Sequence, residues 1–105
     1  MRFGLWYPLA SAAENAPAEP GILQLRLATG LLDYPRGKSA MVHYAEVPDV
    51  RAAALALATA HAATASGLVC RHLIEIPDAT DLGTFYAKLR DEFARRFGSP
   101  PVFPR

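Results

Sequence analysis

The stretch ILQLRLA, residues 22–28, decides the fold, because apolar and polar side chains alternate along it. Successive side chains of a β-strand point to opposite faces of the sheet, so this alternation predicts a strand with one buried face. The three leucines are expected on the buried face, and Gln24 and Arg26 are expected on the other face. Thr29 and Gly30 then predict a turn.

Further strands are predicted on both sides of this stretch. Residues 2–9 contain aromatic side chains that suit a short strand or a packed extended segment, whereas residues 11–20 are rich in alanine, glutamate and proline and predict a loop. Residues 31–34 are expected to extend a second strand. The runs AMVHYAEV, residues 40–47, and LVCRHLIEI, residues 68–76, contain the β-branched and apolar side chains that strands favour.

Two helices are predicted around the last of these strands. Residues 50–65 are dominated by alanine, and Asp49 is expected to accept hydrogen bonds from the first-turn N–H groups of this helix. The second helix carries large apolar side chains at helical spacing, and it is expected to begin at Asp78, with Asp81 in the reciprocal capping position, and to end at Gly98. Its apolar positions are Leu82, Phe85, Tyr86, Leu89, Phe93 and Phe97.

The order of these elements predicts the fold class. It indicates an α/β (α+β) fold, in which two main helices pack on a small mixed or antiparallel sheet of three or more strands. Because 105 residues suit one domain, residues 1–105 are expected to form a single domain. Within it, residues 1–20 form an extended segment and a loop, residues 21–105 form the core, and residues 102–105 are extended.

The composition excludes several functional classes. The 11 lysine and arginine residues nearly balance the 10 acidic residues, so the net charge of +1 gives no general excess for binding nucleic acid. The single cysteine, Cys70, excludes an intrachain disulfide framework and favours a cytoplasmic location. No apolar run reaches the roughly 18 residues of a membrane span, and the histidines lack the spacing of a metal site. We therefore expect no membrane partner, no metal site and no cofactor.

Three motifs and their spacing resemble a known family. The run PGILQLR, residues 20–26, is similar to the opening strand of the GIY-YIG nucleases, which reads P-G-I/V-Y-x-h-R. The run VHYAEVPDVR, residues 42–51, resembles the second strand and the helix start of that family. Residues 85–104 resemble its last helix and its closing G-x-x-P. The resemblance extends from Pro20 to the last residue, and it implies a GIY-YIG-like fold for the core.

The positions that carry catalysis in this family are changed here. The tyrosine of the first motif matches Leu23, and the tyrosine and glycine of the second motif match His43 and Ala45. The catalytic arginine matches Ala53, and residues 85–89, which match the site of the metal-binding glutamate, contain no glutamate. Phosphodiester hydrolysis needs a base, a cation-binding carboxylate and a positive group near the phosphate. The resemblance therefore implies a domain without its catalytic residues.

The sequence thus favours a non-catalytic GIY-YIG-like domain that acts as a binding or interaction module, with a nucleic acid or a protein as its partner. Such a module is not an enzyme. Its surface is expected at the family's former cleft and in the adjacent loop. The residues that we expect there are Arg26, Arg36, Lys38, His43, Tyr44 and Arg51.

Two alternatives remain open. One is a divergent nuclease of the GIY-YIG type that depends on Mg²⁺ or Mn²⁺ and uses His43, Arg51 and Glu92 as catalytic residues. The other is a homo-oligomeric structural protein that associates through the alanine-rich helix of residues 50–65.

Overall fold

The fold is built around an antiparallel sheet, and the computed structural model describes residues 2–79 and 81–103 of the chain. The expected extended conformation of residues 104 and 105 lies outside the described residues. The elements in chain order are β1 (Arg2–Phe3), β2 (Tyr7–Pro8), α1 (Ala12–Asn15), β3 (Gly21–Leu27), β4 (Leu32–Tyr34), β5 (Gly37–Ser39), β6 (Met41–Val47), α2 (Val50–Ala60), β7 (Leu68–Glu75) and α3 (Leu82–Phe97).

The main sheet has β3 near its centre. This strand pairs antiparallel with β6 on one side and with β7 on the other, and the far side of β7 pairs with the short strands β1 and β2. Strands β4 and β5 form a separate hairpin. Together with the helices, these sheets form an α+β fold, which confirms the predicted fold class.

The two faces of the main sheet have different environments. On one face, which we call the α2 face, Leu23, Leu25 and Cys70 are buried in a core with Val50 and Ala54 of α2. This is the face on which the alternation places the leucines. The other face, which we call the α3 face, carries the side chains that alternate with them. Its residues include Ile22, Gln24 and Arg26 of β3, Tyr44 of β6 and Arg71 of β7.

A β-bulge interrupts the pairing of β3 with β6. Leu25 pairs with His43 but Arg26 pairs with Met41, so Val42 is an extra residue on β6. Val42 is fully buried in the core of the α2 face. Because a bulge changes the alternation locally, Val42 and His43 lie on the same face although they are neighbours in sequence. Tyr44 lies on the opposite face from His43, as the strand periodicity predicts.

The structure corrects three predictions about the helices. Residues 12–15 form α1 rather than a loop, and its Ala12 is buried. Helix α2 ends at Ala60 instead of residue 65, because the chain turns after this point and buries Ala65 before β7 begins. The N-cap of α3 is Asp81 rather than Asp78, since its carboxylate accepts hydrogen bonds from the first-turn N–H groups.

One prediction about β3 is also corrected. Gln24 was expected on the face opposite the buried leucines, but the residue is only 2% exposed, and its side chain accepts a hydrogen bond from Arg71. Helix α3 covers part of this face by packing Phe93 against Tyr44, with their ring centroids 5.7 Å apart. The polar face of β3 is therefore partly buried, and a polar group there needs a partner within the protein.

Strand β6 lies at one edge of the described sheet, and tyrosine side chains satisfy part of this edge. The hydroxyl of Tyr34 donates to the carbonyl of Met41, and the hydroxyl of Tyr86 donates to the carbonyl of Tyr44. The hairpin and α3 thus hold the edge strand from one side. In the described part of the chain, no helix is both long and apolar enough to cross a membrane.

Candidate anion-binding site

Two arginines of neighbouring strands share one tryptophan on the α3 face. The Cζ atom of Arg26 lies 4.1 Å from the centre of the Trp6 ring, and that of Arg71 lies 4.5 Å from it. Arg71 also lies 4.7 Å from the centre of the Phe3 ring. Cation–π contacts of this kind hold guanidinium groups in place without cancelling their charge. We call Trp6, Arg26 and Arg71 the arginine–tryptophan cluster.

An irregularity of the sheet edge brings Trp6 to this position. Phe3 pairs with Leu73 and Tyr7 pairs with Cys70, so three residues on the outer strand face only two residues on β7. The extra residue separates β1 from β2 and lets the ring of Trp6 reach the arginines. Bulges at sheet edges commonly redirect a side chain beside a functional site.

Gln24 fixes the orientation of Arg71. The Nε atom of Arg71 donates a hydrogen bond of 2.7 Å to Oε1 of Gln24, which is almost fully buried. Burial lowers the pKa of Arg71, and the nearby charge of Arg26 lowers it further, while Tyr44 acts in the opposite direction. A guanidinium group nevertheless stays protonated in proteins. Two positive charges are therefore held close together on this face.

No acidic side chain among the described residues neutralises this pair. Across residues 2–79 and 81–103, the ion pairs join Arg2 to Glu75 at 3.2 Å and Lys38 to Asp33 at 3.6 Å. Neither Arg26 nor Arg71 forms an ion pair with a described carboxylate. Buried or half-buried charges usually have a counter-charge, so this arrangement is suited to an anion supplied from outside.

A cavity of about 350 Å³ opens on the same face between α3 and β6. Tyr44 and Met41 form its floor, and these residues pair in register with Gln24 and Arg26. Glu92 and Arg96 of α3 line its wall. Burial raises the pKa of Tyr44, although Arg71 acts to lower it. The structure therefore brings Tyr44, Arg26 and Glu92, three of the residues singled out from the sequence, to one face of the sheet.

The structure places His43 and Arg51 on the other face. His43 contacts Phe103 on the α2 face, near the C-terminal end of α2. Arg51 lies in the first turn of α2, where its Nε atom donates to the carbonyl of Ala16 at 2.7 Å. At a rise of 1.5 Å per residue, Arg51 and His61 are about 15 Å apart along the helix. The residues that were expected to line one cleft therefore lie on different faces of the sheet, and His43 and Arg51 lie near opposite ends of α2.

Arg36 and Lys38 lie in the hairpin of β4 and β5, where they make local contacts. The Nη1 atom of Arg36 donates to the carbonyl of Arg95 at the end of α3, and Lys38 pairs with Asp33 across the hairpin. Both side chains are exposed. The contact of Arg36 attaches the hairpin to α3, whereas the ion pair of Lys38 lies within the hairpin.

Trp6, Arg71 and Gln24 were not identified from the sequence. An arginine in the largely apolar run LVCRHLIEI was a usable signal, because a charged side chain that is half-buried in a strand usually has a partner. The pairing of β7 with β3, which places Arg71 beside Gln24, depends on contacts distant in sequence. The contact with Trp6 depends on the edge bulge, and no local pattern indicates it.

No protein-family model matches the chain, and no curated protein matches it either. Within residues 2–79 and 81–103, the histidine, cysteine and acidic side chains form no group of three or more that could hold a metal ion.

Proposed function

We propose that the protein is a non-catalytic GIY-YIG-like binding module that holds the phosphate groups of a single-stranded nucleic acid on the α3 face. The observation that carries this proposal is the arginine–tryptophan cluster, whose two guanidinium groups have no described carboxylate partner. Guanidinium groups bind phosphate oxygens through paired hydrogen bonds. A half-buried tryptophan beside them adds an aromatic surface of the type that single strands use.

The absence of catalysis in this proposal is supported by the positions that match the family's catalytic residues. Leu23 is fully buried in the core of the α2 face, so the position of the catalytic tyrosine is neither polar nor accessible. Ala53 has no side chain that could stabilise a developing negative charge. Glu92 lies on the α3 face, whereas His43 and Arg51 belong to the α2 face.

The proposal is tested by removing each arginine of the cluster. Arg26→Ala and Arg71→Ala are each expected to weaken binding of a labelled single-stranded oligonucleotide by roughly tenfold or more, since a hydrogen bond to a charged group contributes about 1.5–3 kcal/mol. Fluorescence anisotropy at low salt measures the affinity. In the unmodified protein, emission from Trp6, the only tryptophan of the chain, should also change on binding.

Arg51→Ala is the matched control, because it removes the same charge from the α2 face. It should leave the affinity within about twofold of the unmodified protein. If Arg26→Ala, Arg71→Ala and Arg51→Ala all bound the oligonucleotide with equal affinity, the proposed surface would be contradicted. Binding of an acidic peptide in preference to the oligonucleotide would contradict the proposed partner.

The nuclease alternative has a separate test. A cleavage assay with Mg²⁺ or Mn²⁺ on mixed DNA and RNA should give no products. Cleavage that is lost in Arg51→Ala would refute the non-catalytic proposal, because Arg51 would then act on the substrate.

A further inference from the structure

The segment that follows α3, residues 99–103, passes from one face of the sheet to the other. It starts beside the α3 face at Gly98 and ends on the α2 face, where Phe103 packs against the core. On its way, the N–H of Val102 donates to the hydroxyl of Tyr34 at 3.2 Å. This is the only described hydrogen bond that joins the backbone of residues 99–103 to the rest of the described chain.

The ring of Phe103 occupies a slot between two histidines. It stacks on His61 with centroids 4.1 Å apart and an angle of 14°, and on its His43 side the centroids are 5.1 Å apart. A cavity of about 360 Å³ continues from this slot, with Leu27 and Leu68 among its lining residues. The slot is therefore lined by planar rings, and the cavity beside it is partly apolar. We call the slot between His43 and His61 the imidazole slot.

The inserted segment has the properties of a ligand more than those of a structural element. It lies outside every helix and strand of the described chain, and it is attached by the ring of Phe103 and by the hydrogen bond from Val102 to Tyr34. Pro100 and Pro101 hold the backbone extended, so little conformational entropy is lost when it docks. Aromatic-lined grooves bind proline-rich peptides for this reason.

We propose that the imidazole slot is an exchangeable peptide site, which the protein's own Phe103 fills within one copy and the Phe103 of a second copy fills when two molecules associate. The second copy is the occupant that the structure supports, because its segment is chemically identical to the one already seated. Within one molecule, attachment gives the segment a millimolar effective concentration. Dilute protein therefore keeps its own segment bound and stays monomeric.

The slot is tested by emptying it in the full-length chain. Phe103→Ala should make the slot accept an added pentapeptide, Ser-Pro-Pro-Val-Phe, which copies residues 99–103. NMR signals of the imidazoles of His43 and His61 should shift in a saturable way at about 0.1 mM peptide, roughly one tenth of the effective concentration of the attached segment. The unmodified protein should bind this peptide at least tenfold more weakly, because its own Phe103 competes. The peptide Ser-Pro-Pro-Val-Ala is the matched control and should cause no saturable shift.

Exchange between copies has its own measurement. Deletion of Pro100 and Pro101 shortens an extended segment by about 6 Å, so Phe103 no longer reaches its own slot. At about 0.2 mM protein, light scattering should then show twice the monomer mass, while the unmodified protein, whose own segment has a millimolar effective concentration, remains mainly monomeric. If the shortened variant stays monomeric, exchange between copies is refuted.

A second variant covers the case in which Phe103→Ala does not fold, as judged by circular dichroism. Phe103→Leu keeps an apolar side chain against the core but loses the ring stack, and it should also bind the pentapeptide more tightly than the unmodified protein. If neither variant binds the pentapeptide more tightly than the unmodified protein does, the slot is not a peptide site.

Discussion

At the residue scale, Gln24 holds Arg71 on the α3 face through a neutral hydrogen-bond acceptor. Its buried side-chain carbonyl oxygen orients Arg71 but leaves the positive charge of the guanidinium group in place. A carboxylate of similar size at this position would neutralise that charge. We therefore expect Gln24→Glu to form an ion pair with Arg71 and to weaken oligonucleotide binding by roughly tenfold, as for loss of one charged hydrogen bond. Anisotropy measures the affinity, and thermal unfolding checks the fold. An unchanged affinity in a folded variant would show that Arg71 does not contact the ligand.

Cys70 belongs to a reactive residue type, but its position in the fold makes its thiol unreactive. The thiol is fully buried, and burial raises its pKa to about 11, although a hydrogen bond with Tyr7 acts in the opposite direction. Thiolate is the reactive form. An aromatic disulfide reagent at neutral pH should therefore label the native protein at least 100-fold more slowly than the protein in denaturant, as absorbance would measure. Rapid labelling of the native protein would contradict this burial.

At the element scale, a comparison of three glycines distinguishes the cost of a left-handed backbone from the cost of a steric clash. Gly67 has an ordinary conformation and open space, Gly30 has a φ of +85° and open space, and Gly98 has a φ of +86°. A Cβ atom at Gly98 would also lie 2.8 Å from Cβ of Pro35. Left-handed backbone costs a residue with a side chain about 1–2 kcal/mol.

Alanine at each of these glycines should therefore give a graded series. We expect Gly67→Ala to change the free energy of unfolding by less than about 0.5 kcal/mol and Gly30→Ala to lower it by about 1 kcal/mol. Gly98→Ala should lower it by more than about 2 kcal/mol, because the conflict with Pro35 adds to the strain. Urea unfolding measures the series. Equal losses at Gly30 and Gly98 would show that the contact with Pro35 relaxes freely.

Local sequence patterns were sufficient to predict most elements. Alternation identified β3, and helical spacing with Gly98 identified α3, because each pattern reflects the geometry of one element. The end of α2 was missed, since alanines favour a helix beyond Ala60 whereas the buried position of Ala65 requires a turn. Most residues of the candidate site were not predicted, because the site depends on two bulges and on the pairing of strands that are distant in sequence.

At the scale of the whole molecule, half-buried histidines make stability depend on pH. Burial lowers the pKa of His43, helped by His61, and burial also lowers the pKa of His72, although Glu19 opposes this. The unfolded chain therefore binds more protons than the folded protein below pH 6.5. The contribution of these two histidines to the free energy of unfolding is complete above pH 6.5. It is lost as the pH falls through their lowered pKa values in the folded protein.

We therefore expect the free energy of unfolding to fall as the pH drops from 7 to 5. Urea titrations at each pH measure it, and His43→Gln, which cannot be protonated in this range, should flatten the dependence. A profile without slope in the unmodified protein would contradict the lowered pKa values.

The edges of the sheet determine how the folded protein behaves at high concentration. An edge strand with free backbone groups is a template on which strands of other chains add and fibres grow. Here, tyrosine hydroxyls occupy two carbonyls of β6, and the opposite edge is split into two strands of two residues each. Lateral growth therefore lacks a continuous template on either side. The concentrated samples that the exchange experiment requires should remain free of amyloid-like aggregates.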